Sequence, residues 1–141
     1  AFRRRSNSEG KKGMIVKMKI FCGTDIIEVE RIQEAIEGEK EKFLERVFTA
    51  SEIEYCEKKK AVKYQHYAGK FAAKEAVFKA ISPCLEHKYD ISWKNIEIKN
   101  DSEGRPFVNL IGTFAQNIES IDVSISHVKQ MATASCIICV K

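Results

Sequence analysis

One stretch of the sequence, residues 62–81, constrains the fold most strongly because it predicts a long helix with an acid on its apolar side. At about 100° per residue, five side chains of this helix share an arc that should face the core: Tyr67, Ala68, Phe71, Phe78 and Ile81. Glu75 lies inside this arc, four residues after Phe71 and three before Phe78, so both rings lie next to its carboxylate. The fold must therefore provide Glu75 with a partner.

The position of Glu75 on the apolar side of the helix has two explanations. Burying an unpaired polar group costs about 2–7 kcal/mol, and an unpaired charge costs more. Three lysines surround Glu75 on the same helix, Lys70, Lys74 and Lys79, and Lys79 stands four residues after Glu75. One explanation is a surface ion pair of Glu75 with Lys79, worth about 0.2–1 kcal/mol. The other is a carboxylate that faces a metal ion or a phosphate group, with the lysines holding the anion.

The net charge of +4 does not by itself indicate a nucleic-acid-binding protein. Seven of the 24 Lys and Arg, but one of the 20 Asp and Glu, fall within residues 1–20. The rest of the chain therefore carries 17 basic and 19 acidic side chains and is close to neutral. We expect no nucleic-acid partner.

The first residues differ from the rest of the chain. Residues 1–13 contain no apolar run long enough for a signal peptide or a membrane span, which predicts a disordered leader or a remnant of cloning. A single domain over residues 14–141 follows from the length. The five cysteines are odd in number and scattered, which favours a reduced, cytoplasmic protein without a membrane partner. Cys136 and Cys139 form a C-x-x-C motif, but in a strand they point to opposite faces, which favours ordinary packing over a zinc site.

The apolar patterns before the long helix predict a strand and then a helix. Met18, Ile20 and Cys22 alternate with polar residues, which predicts a strand that buries these three side chains. Helical spacing of apolar residues follows over residues 29–36. Asp25 lies between the two elements. It either caps the following helix or stands at the end of the strand with its side chain facing a cleft.

The remaining patterns complete an α+β domain in which a small antiparallel sheet packs with several helices. Thr49 and Glu52 match a capping box, so a helix should begin near Ala50. Four strand-like runs follow the long helix: residues 91–99, 107–110, 123–127 and 132–140. The turn sequence NDSEGRP joins the first two runs into a hairpin.

Two sequence blocks carry a resemblance to a known family. GTDIIEVERI, residues 23–32, resembles the G-x-D-x-x-x-x-x-R block of the holo-acyl-carrier-protein synthases, and FAAKEAVFKA, residues 71–80, resembles their F-[AS]-x-K-E-A-x-x-K-A block. Both blocks match at every fixed position, and VSISH near the C-terminus completes the set. The resemblance covers the chain from about Met18 to Lys141. It implies the 4′-phosphopantetheinyl transferase fold and a homotrimer whose sites are shared between neighbouring subunits.

The resemblance also implies a reaction. Members of this family transfer the 4′-phosphopantetheine arm of coenzyme A to a serine of apo acyl carrier protein and release adenosine 3′,5′-bisphosphate, which supports fatty acid biosynthesis. The family's metal-ligand acids correspond to Asp25 and Glu75, with Mg²⁺ as the cofactor, because this ion prefers oxygen ligands. Lys79 would join these two acids in catalysis. The base that takes the serine proton stays open between a metal-bound water and either acid acting through water.

Binding residues follow from the same resemblance. Coenzyme A would be contacted by two lysines, one histidine and a turn: Lys70, Lys79, His127, Gly104, Arg105 and Pro106. Acyl carrier proteins are strongly acidic, so they would dock on basic side chains of the first helices: Arg31, Lys42 and Arg46.

Two other classes of protein are alternatives to this one. A non-catalytic, lysine-rich module that binds acidic proteins or nucleic acid would leave the position of Glu75 unexplained. A different magnesium-dependent phosphoryl-transfer enzyme would need another phosphate-binding segment, and the sequence contains no glycine fingerprint of the P-loop or dinucleotide kind.

Overall fold

A computed structural model describes residues 17–39, 41–87 and 90–141. The predicted leader, residues 1–13, lies outside these ranges. Within them the chain forms four α-helices: α1 (Val29–Glu39), α2 (Glu41–Val47), α3 (Ala50–Glu57) and α4 (Lys63–Ile81). It forms five strands: β1 (Lys19–Glu28), β2 (Ile96–Asn100), β3 (Pro106–Leu110), β4 (Ile118–His127) and β5 (Met131–Val140). The described part of the chain is thus α+β, as the sequence predicted.

Two antiparallel sheets pack around helix α4. The larger has the strand order β1-β5-β4, and the smaller is the β2-β3 hairpin. Helix α4 lies against the three-stranded sheet, and it approaches β1 so closely that a Cβ on Gly23 would stand 2.0 Å from the carbonyl oxygen of Ala76. Only glycine permits this approach. The contact fixes strand β1, and with it Asp25, against α4.

The predicted inner face of β1 was wrong. Met18, Ile20 and Cys22 point to solvent, and Ile20 keeps 67% of its surface exposed. The opposite residues face the core: Phe21 packs against the buried cluster and Gly23 is buried beneath α4. A period of two separates the faces of a strand without telling which face is covered, and here the contact with α4 decides.

The predicted core face of α4 was partly right. Tyr67, Ala68 and Ile81 are fully buried, whereas Phe71 and Phe78 are half-buried. Small side chains contribute most of the remaining contact with the sheet: Ala72, Ala73, Ala76, Val77 and Ala80. Helix α4 is covered on more than one side, so its buried surface is wider than a single stripe.

The predicted capping box at the start of α3 is confirmed. The backbone N–H of Thr49 donates to Glu52 Oε1 at 2.8 Å, and the N–H of Glu52 donates to Thr49 Oγ1 at 3.4 Å. Glu52 is also buried, since it accepts a bond from the N–H of Ile98 at 2.9 Å and pairs with Lys74 at 2.8 Å. One side chain therefore joins α3, α4 and β2.

The hairpin and the C-terminal strands occur where the sequence predicted them, with different limits. Strand β2 begins at Ile96, because a short 3₁₀ turn (Trp93–Asn95) occupies the preceding residues. Cys136 is buried and Cys139 half-buried on the other face of β5, and burial raises the pKa of the Cys136 thiol to about 12. Both thiols are free, as ordinary packing requires. No helix within the described ranges combines the length and the apolar character that crossing a bilayer needs.

Candidate active site

Asp25 belongs to the body of strand β1. It pairs with Ala134 of β5, and its carbonyl accepts a bond from the hydroxyl of Thr133 at 2.9 Å. Helix α1 begins at Val29, so the capping explanation for Asp25 is wrong. Hydrogen bonds between β1 and β5 fix the backbone of Asp25. The position from which the carboxylate of Asp25 extends is therefore fixed as well.

The two predicted metal ligands lie at one cavity. Asp25 from β1 and Glu75 from α4 line a space of about 450 Å³ together with Lys79, Arg31 and Phe71. We call this space the acid cavity. Folding therefore brings together two carboxylates that are 50 residues apart in the chain.

The charges in the acid cavity are unevenly paired. The ammonium of Lys79 donates to Asp25 Oδ1 at 3.2 Å and to the carbonyl of Thr24 at 2.9 Å. Within the part of the chain that the structure describes, Glu75 has neither a hydrogen-bond nor an ion-pair partner for its carboxylate. The surface pair between Glu75 and Lys79 is thus not formed. Partial burial, and then the charge of Asp25, raise the pKa of Glu75, and the charge of Lys79 opposes this shift.

The two carboxylates fit a hard divalent cation. Mg²⁺ is usually held by one or two carboxylates, while substrate phosphates and water supply the other oxygens. The described residues contain no cluster of three or more His, Cys, Asp or Glu side chains, which a fully protein-ligated transition metal would need. The carboxylate of Glu75 is unpaired and half-buried, and that of Asp25 faces the same cavity. This pair matches a magnesium site whose other ligands come from substrate and water.

A second cavity, of about 150 Å³, contains four of the predicted coenzyme residues: Lys70, Gly104, Pro106 and His127. The rest of its wall consists of Tyr55, His66, Gly69, Asn100 and Ile125. We call it the turn cavity, because Gly104 lies in the turn of the β2-β3 hairpin and Pro106 follows the turn as the first residue of β3. Arg105 from the same turn points elsewhere. Its guanidinium is exposed, 3.8 Å from Asp122 Oδ2, beside a shallow depression that Lys79 also lines.

Lys70 already has partners in the turn cavity. It is 3% exposed, and its ammonium donates to the carbonyl of Ile98 and to Asn100 Oδ1, both at 2.7 Å. The ammonium also lies 4.5 Å from the centre of the Tyr55 ring. Burial lowers the pKa of Lys70. Lys70 is therefore placed at the predicted coenzyme site, with its donors directed to protein oxygens.

His66 is half-buried in the wall of the turn cavity. Its ring lies 5.0 Å from the ring of His127, and His127 Nδ1 is 3.0 Å from Gln65 Oε1. Burial, and then the charges of His127, Lys59 and Lys70, lower the pKa of His66 to about 4. His66 is consequently neutral at physiological pH.

The predicted docking residues lie on the surface of α1 and α2. The Arg31 side chain is 74% exposed, lies 3.7 Å from Glu28, and borders the acid cavity. Lys42 is exposed, and Arg46 pairs with Glu39 at 3.2 Å. Arg31 is thus the basic residue of this set that joins the proposed docking surface to the carboxylates.

Tyr55 and Asn100 line the turn cavity and were not singled out from the sequence. Lys74, predicted only as one of the lysines near Glu75, is fully buried and lines neither the acid cavity nor the turn cavity. No local pattern marks these side chains, since their partners come from other elements. The lysine spacing on α4 was the one available signal, because Lys70 and Lys74 stand one helical turn apart.

Comparison with known proteins identifies the family. Residues 21–136 match the model of the 4′-phosphopantetheinyl transferase superfamily. A holo-[acyl-carrier-protein] synthase of Ruminiclostridium cellulolyticum is 48% identical over 126 residues, which cover 86% of this chain and 92% of that protein.

Solved structures agree with the sequence comparison. The Helicobacter pylori holo-[acyl-carrier-protein] synthase in complex with coenzyme A superposes with a TM-score of 0.73 at 33% identity, over 83% of this chain and 98% of that one. The Bacillus anthracis holo-(acyl-carrier-protein) synthase in complex with CoA (3′,5′-ADP) gives 0.70 at 32% identity, over 89% and 100%. The chain belongs to the 4′-phosphopantetheinyl transferase superfamily, and within it to the holo-acyl-carrier-protein synthases.

Proposed function

We propose that this chain transfers 4′-phosphopantetheine from coenzyme A to a serine of apo acyl carrier protein, with Mg²⁺ as cofactor, in the cytoplasm and in support of fatty acid biosynthesis. The serine oxygen gives up its proton to water or, through water, to Asp25 or Glu75, and it bonds to the phosphorus next to the pantetheine. The bond from that phosphorus to the bridging oxygen breaks, and adenosine 3′,5′-bisphosphate leaves. The observation that carries the proposal is the acid cavity, where Asp25 and Glu75 meet beside Lys79. The names of the relatives support the same donor and acceptor.

Asp25 and Glu75 would hold the magnesium ion through their carboxylate oxygens. When bound, Mg²⁺ neutralises charge on the pyrophosphate and on the departing bisphosphate. Lys79 contributes a further positive charge at the same cavity, since its ammonium is held beside Asp25 and stays about half exposed to an incoming phosphate. Electrostatic stabilisation of this kind supplies most of the catalysis in phosphoryl transfer.

The donor nucleotide would occupy the turn cavity. Gly104 and Pro106 supply backbone surface, and His127 supplies a ring nitrogen for a phosphate group. Arg105 is exposed at the same turn, and its guanidinium could contact a phosphate from the solvent side of the turn. Lys70 and Glu75 stand about 140° apart around α4, so the turn cavity and the acid cavity of one chain face different sides of the helix. The pyrophosphate of a nucleotide in the turn cavity would therefore reach the acid cavity of a neighbouring copy.

The carrier protein would dock on α1. Arg31 is exposed and borders the acid cavity, so an acidic partner bound there brings its serine close to Asp25 and Glu75. Lys42 and Arg46 extend the basic surface to α2. Charge complementarity of this kind raises the association rate and sets the orientation of the partner.

A homotrimer is part of the proposal. The outer face of the three-stranded sheet exposes four apolar or weakly polar side chains: Ile20, Cys22, Ile26 and Ile137. Such a patch is typical of a contact between copies. A neighbouring copy on this face would complete the shallow depression that Lys79 and Arg105 line, and would share the donor site. Sedimentation of the wild type and of Ile137→Lys tests this arrangement, because the charge would release monomers if the face is the contact.

The transfer itself has a direct test. The protein is incubated with coenzyme A, MgCl₂ and an apo acyl carrier protein, and the mass of the carrier and the release of bisphosphate are followed. We expect a stoichiometric mass increase that needs all three components and stops when EDTA removes the cation. An unchanged carrier mass with several apo carriers would overturn the proposed function. Salt-sensitive binding without any transfer would instead favour a lysine-rich binding module.

A further inference from the structure

Two buried lysines on helix α4 hold strand β2 by its carbonyl groups. Lys74 is 0% exposed, donates to the carbonyls of Ile96 at 2.6 Å and Trp93 at 3.0 Å, and has the carboxylate of Glu52 at 2.8 Å. Lys70 lies one turn earlier and has no carboxylate within ion-pair distance among the described residues. A buried ammonium costs free energy that its hydrogen bonds must offset, so an apolar side chain would serve packing at least as well. The bonds of Lys70 therefore have another use.

The amide of Asn100 links Lys70 to the hairpin turn. Asn100 Oδ1 accepts from Lys70 Nζ at 2.7 Å, and Asn100 Nδ2 donates to the carbonyl of Gly104 at 3.0 Å. An ammonium only donates and a carbonyl only accepts, so both ends of the amide have their required orientation. Gly104 has a φ of +85°, which favours glycine, and its N–H donates to the carbonyl of Asp101 at 3.0 Å. The chain of contacts runs from α4 through Asn100 to the turn.

We propose that Lys70 and Asn100 are positioning residues for the donor nucleotide: Lys70 fixes the Asn100 amide, and this amide holds the Gly104 carbonyl so that the turn keeps its shape opposite His127. The inference rests on the proposed function, because it takes the turn cavity as the nucleotide site. It assigns Lys70 an indirect action on binding, through the protein, in place of a direct contact with a phosphate. Groups held in place by such outer contacts bind more tightly because less conformational freedom is lost on binding.

Two variants break the chain of contacts from Lys70 through Asn100 to Gly104, which we call the relay, at different bonds. Asn100→Asp keeps an oxygen for Lys70 and replaces the donor to Gly104 with a second oxygen, which repels the carbonyl. Lys70→Met removes the ammonium and leaves the Asn100 amide unanchored. Lys99→Met is the matched control, since Lys99 lies on β2 between these partners and its side chain is exposed. If Lys70→Met does not fold, Asn100→Asp alone decides.

Kinetics with two donors separate positioning from direct contact. We expect each variant to raise the KM for coenzyme A about tenfold with kcat changed less than about twofold, and Lys99→Met to behave like the wild type. The increase should be equal for 3′-dephospho-coenzyme A, and the double variant should be no worse than the poorer single one. A loss in Lys70→Met that is confined to coenzyme A, with Asn100→Asp normal, would overturn the proposal in favour of a direct contact between Lys70 and the 3′-phosphate.

Hydrogen exchange tests the relay without any substrate. The N–H groups of Gly104 and Arg105 are bonded within the turn, so their exchange reports its opening. We expect at least about fivefold faster exchange at both amides in Asn100→Asp and Lys70→Met, and no change in Lys99→Met. Unchanged exchange in Asn100→Asp would overturn the relay even if the enzyme is active. Faster exchange in a protein that transfers nothing would instead overturn the proposed function alone.

Discussion

The ammonium of Lys79 and the carboxylate of Asp25 form an ion pair that joins helix α4 to strand β1, with 3.2 Å between Nζ and Oδ1. The pair leaves the two acids of the cavity in different states. Asp25 has a cationic partner, whereas Glu75 is half-buried, faces the charge of Asp25 and has a raised pKa. The apoprotein therefore carries electrostatic strain at Glu75 that a bound cation would relieve.

Removing either carboxylate should abolish transfer and keep the fold. We expect Asp25→Asn and Glu75→Gln to lower kcat/KM more than about 100-fold, because each takes one oxygen ligand from the proposed metal site. Calorimetric titration with MgCl₂ in the presence of coenzyme A measures the cation binding separately from turnover. Glu30→Gln on α1 is the control, since this exposed acid lies outside the acid cavity. Wild-type turnover in both cavity variants would refute the metal assignment.

The same Glu75→Gln variant should be more stable than the wild type when no divalent cation is present. Burial and Asp25 raise the pKa of Glu75 above its unfolded value, so its ionised form costs stability, and this cost grows as the pH rises through the folded pKa. In EDTA at pH 8 we expect the Tm to rise by about 1–4 °C, and the gain to disappear near pH 4. Asp25→Asn should give no such gain, because it breaks the pair with Lys79. A lower Tm for Glu75→Gln would contradict the proposed strain.

Stability should also depend on pH through His66. Its pKa in the folded protein is lowered to about 4, while the unfolded chain binds a proton near pH 6.5. The neutral ring therefore contributes stability above about pH 6.5, and this contribution is lost as the pH falls toward 4. Denaturant unfolding at pH 7.5 and 5.0 measures the loss, which we expect to be about 1 kcal/mol smaller in His66→Gln once solvent screening is allowed for.

The control for this pH dependence is His87→Gln. His87 is exposed, so its substitution should leave the difference between the two pH values as it is in the wild type. An equal pH dependence in the wild type and in His66→Gln would show that the ring of His66 titrates normally despite its contact with His127.

The sequence predicted the elements and the acids of the site better than it predicted burial. The periodicity of α4, the capping box at Thr49 and the two block motifs are local. The structure confirms the helix and the cap, and Asp25 and Glu75 line one cavity, while their role as metal ligands stays a prediction. The inner face of β1 was assigned to Ile20 and its neighbours because they are apolar. Gly23 overrides that rule, since the close approach of α4 is possible only on its side of the strand.

The buried cations could not be predicted because their partners are remote. Lys74 finds its carboxylate on Glu52 and its carbonyls on β2, and Lys70 finds Asn100 30 residues later. Periodicity places such lysines on a helix face, but only the tertiary packing decides whether that face meets oxygen atoms or water. The same holds for His66, because burial lowers its pKa first and the charge of the remote His127 only second.

Substitution of Gly23 should disturb the acid cavity, because Gly23 lies where strand β1 packs against helix α4. In Gly23→Ala the new Cβ would stand 2.0 Å from the Ala76 carbonyl oxygen, so β1 and α4 must separate. We expect the free energy of unfolding to fall by more than about 3 kcal/mol and turnover to be lost, because β1 carries Asp25 and α4 carries Glu75. Gly38→Ala is the control: its Cβ meets nothing within 4 Å, and a helical alanine should stabilise by about 0.5–1 kcal/mol. Equal stability of the two variants would contradict the close approach.

Charge reversal at Arg31 should weaken the binding of the carrier protein and leave the binding of coenzyme A unchanged. Arg31 is exposed on α1 at the rim of the acid cavity, where an acidic carrier would place its serine. In Arg31→Glu we expect the KM for the apo carrier to rise about tenfold, with the KM for coenzyme A unchanged and a smaller dependence on salt. Lys58→Glu is the matched control, because Lys58 is equally exposed but pairs with Glu54 on α3. If Arg31→Glu instead raised the KM for coenzyme A and left the carrier unaffected, Arg31 would belong to the donor site, and the carrier would have to approach the carboxylates from another side.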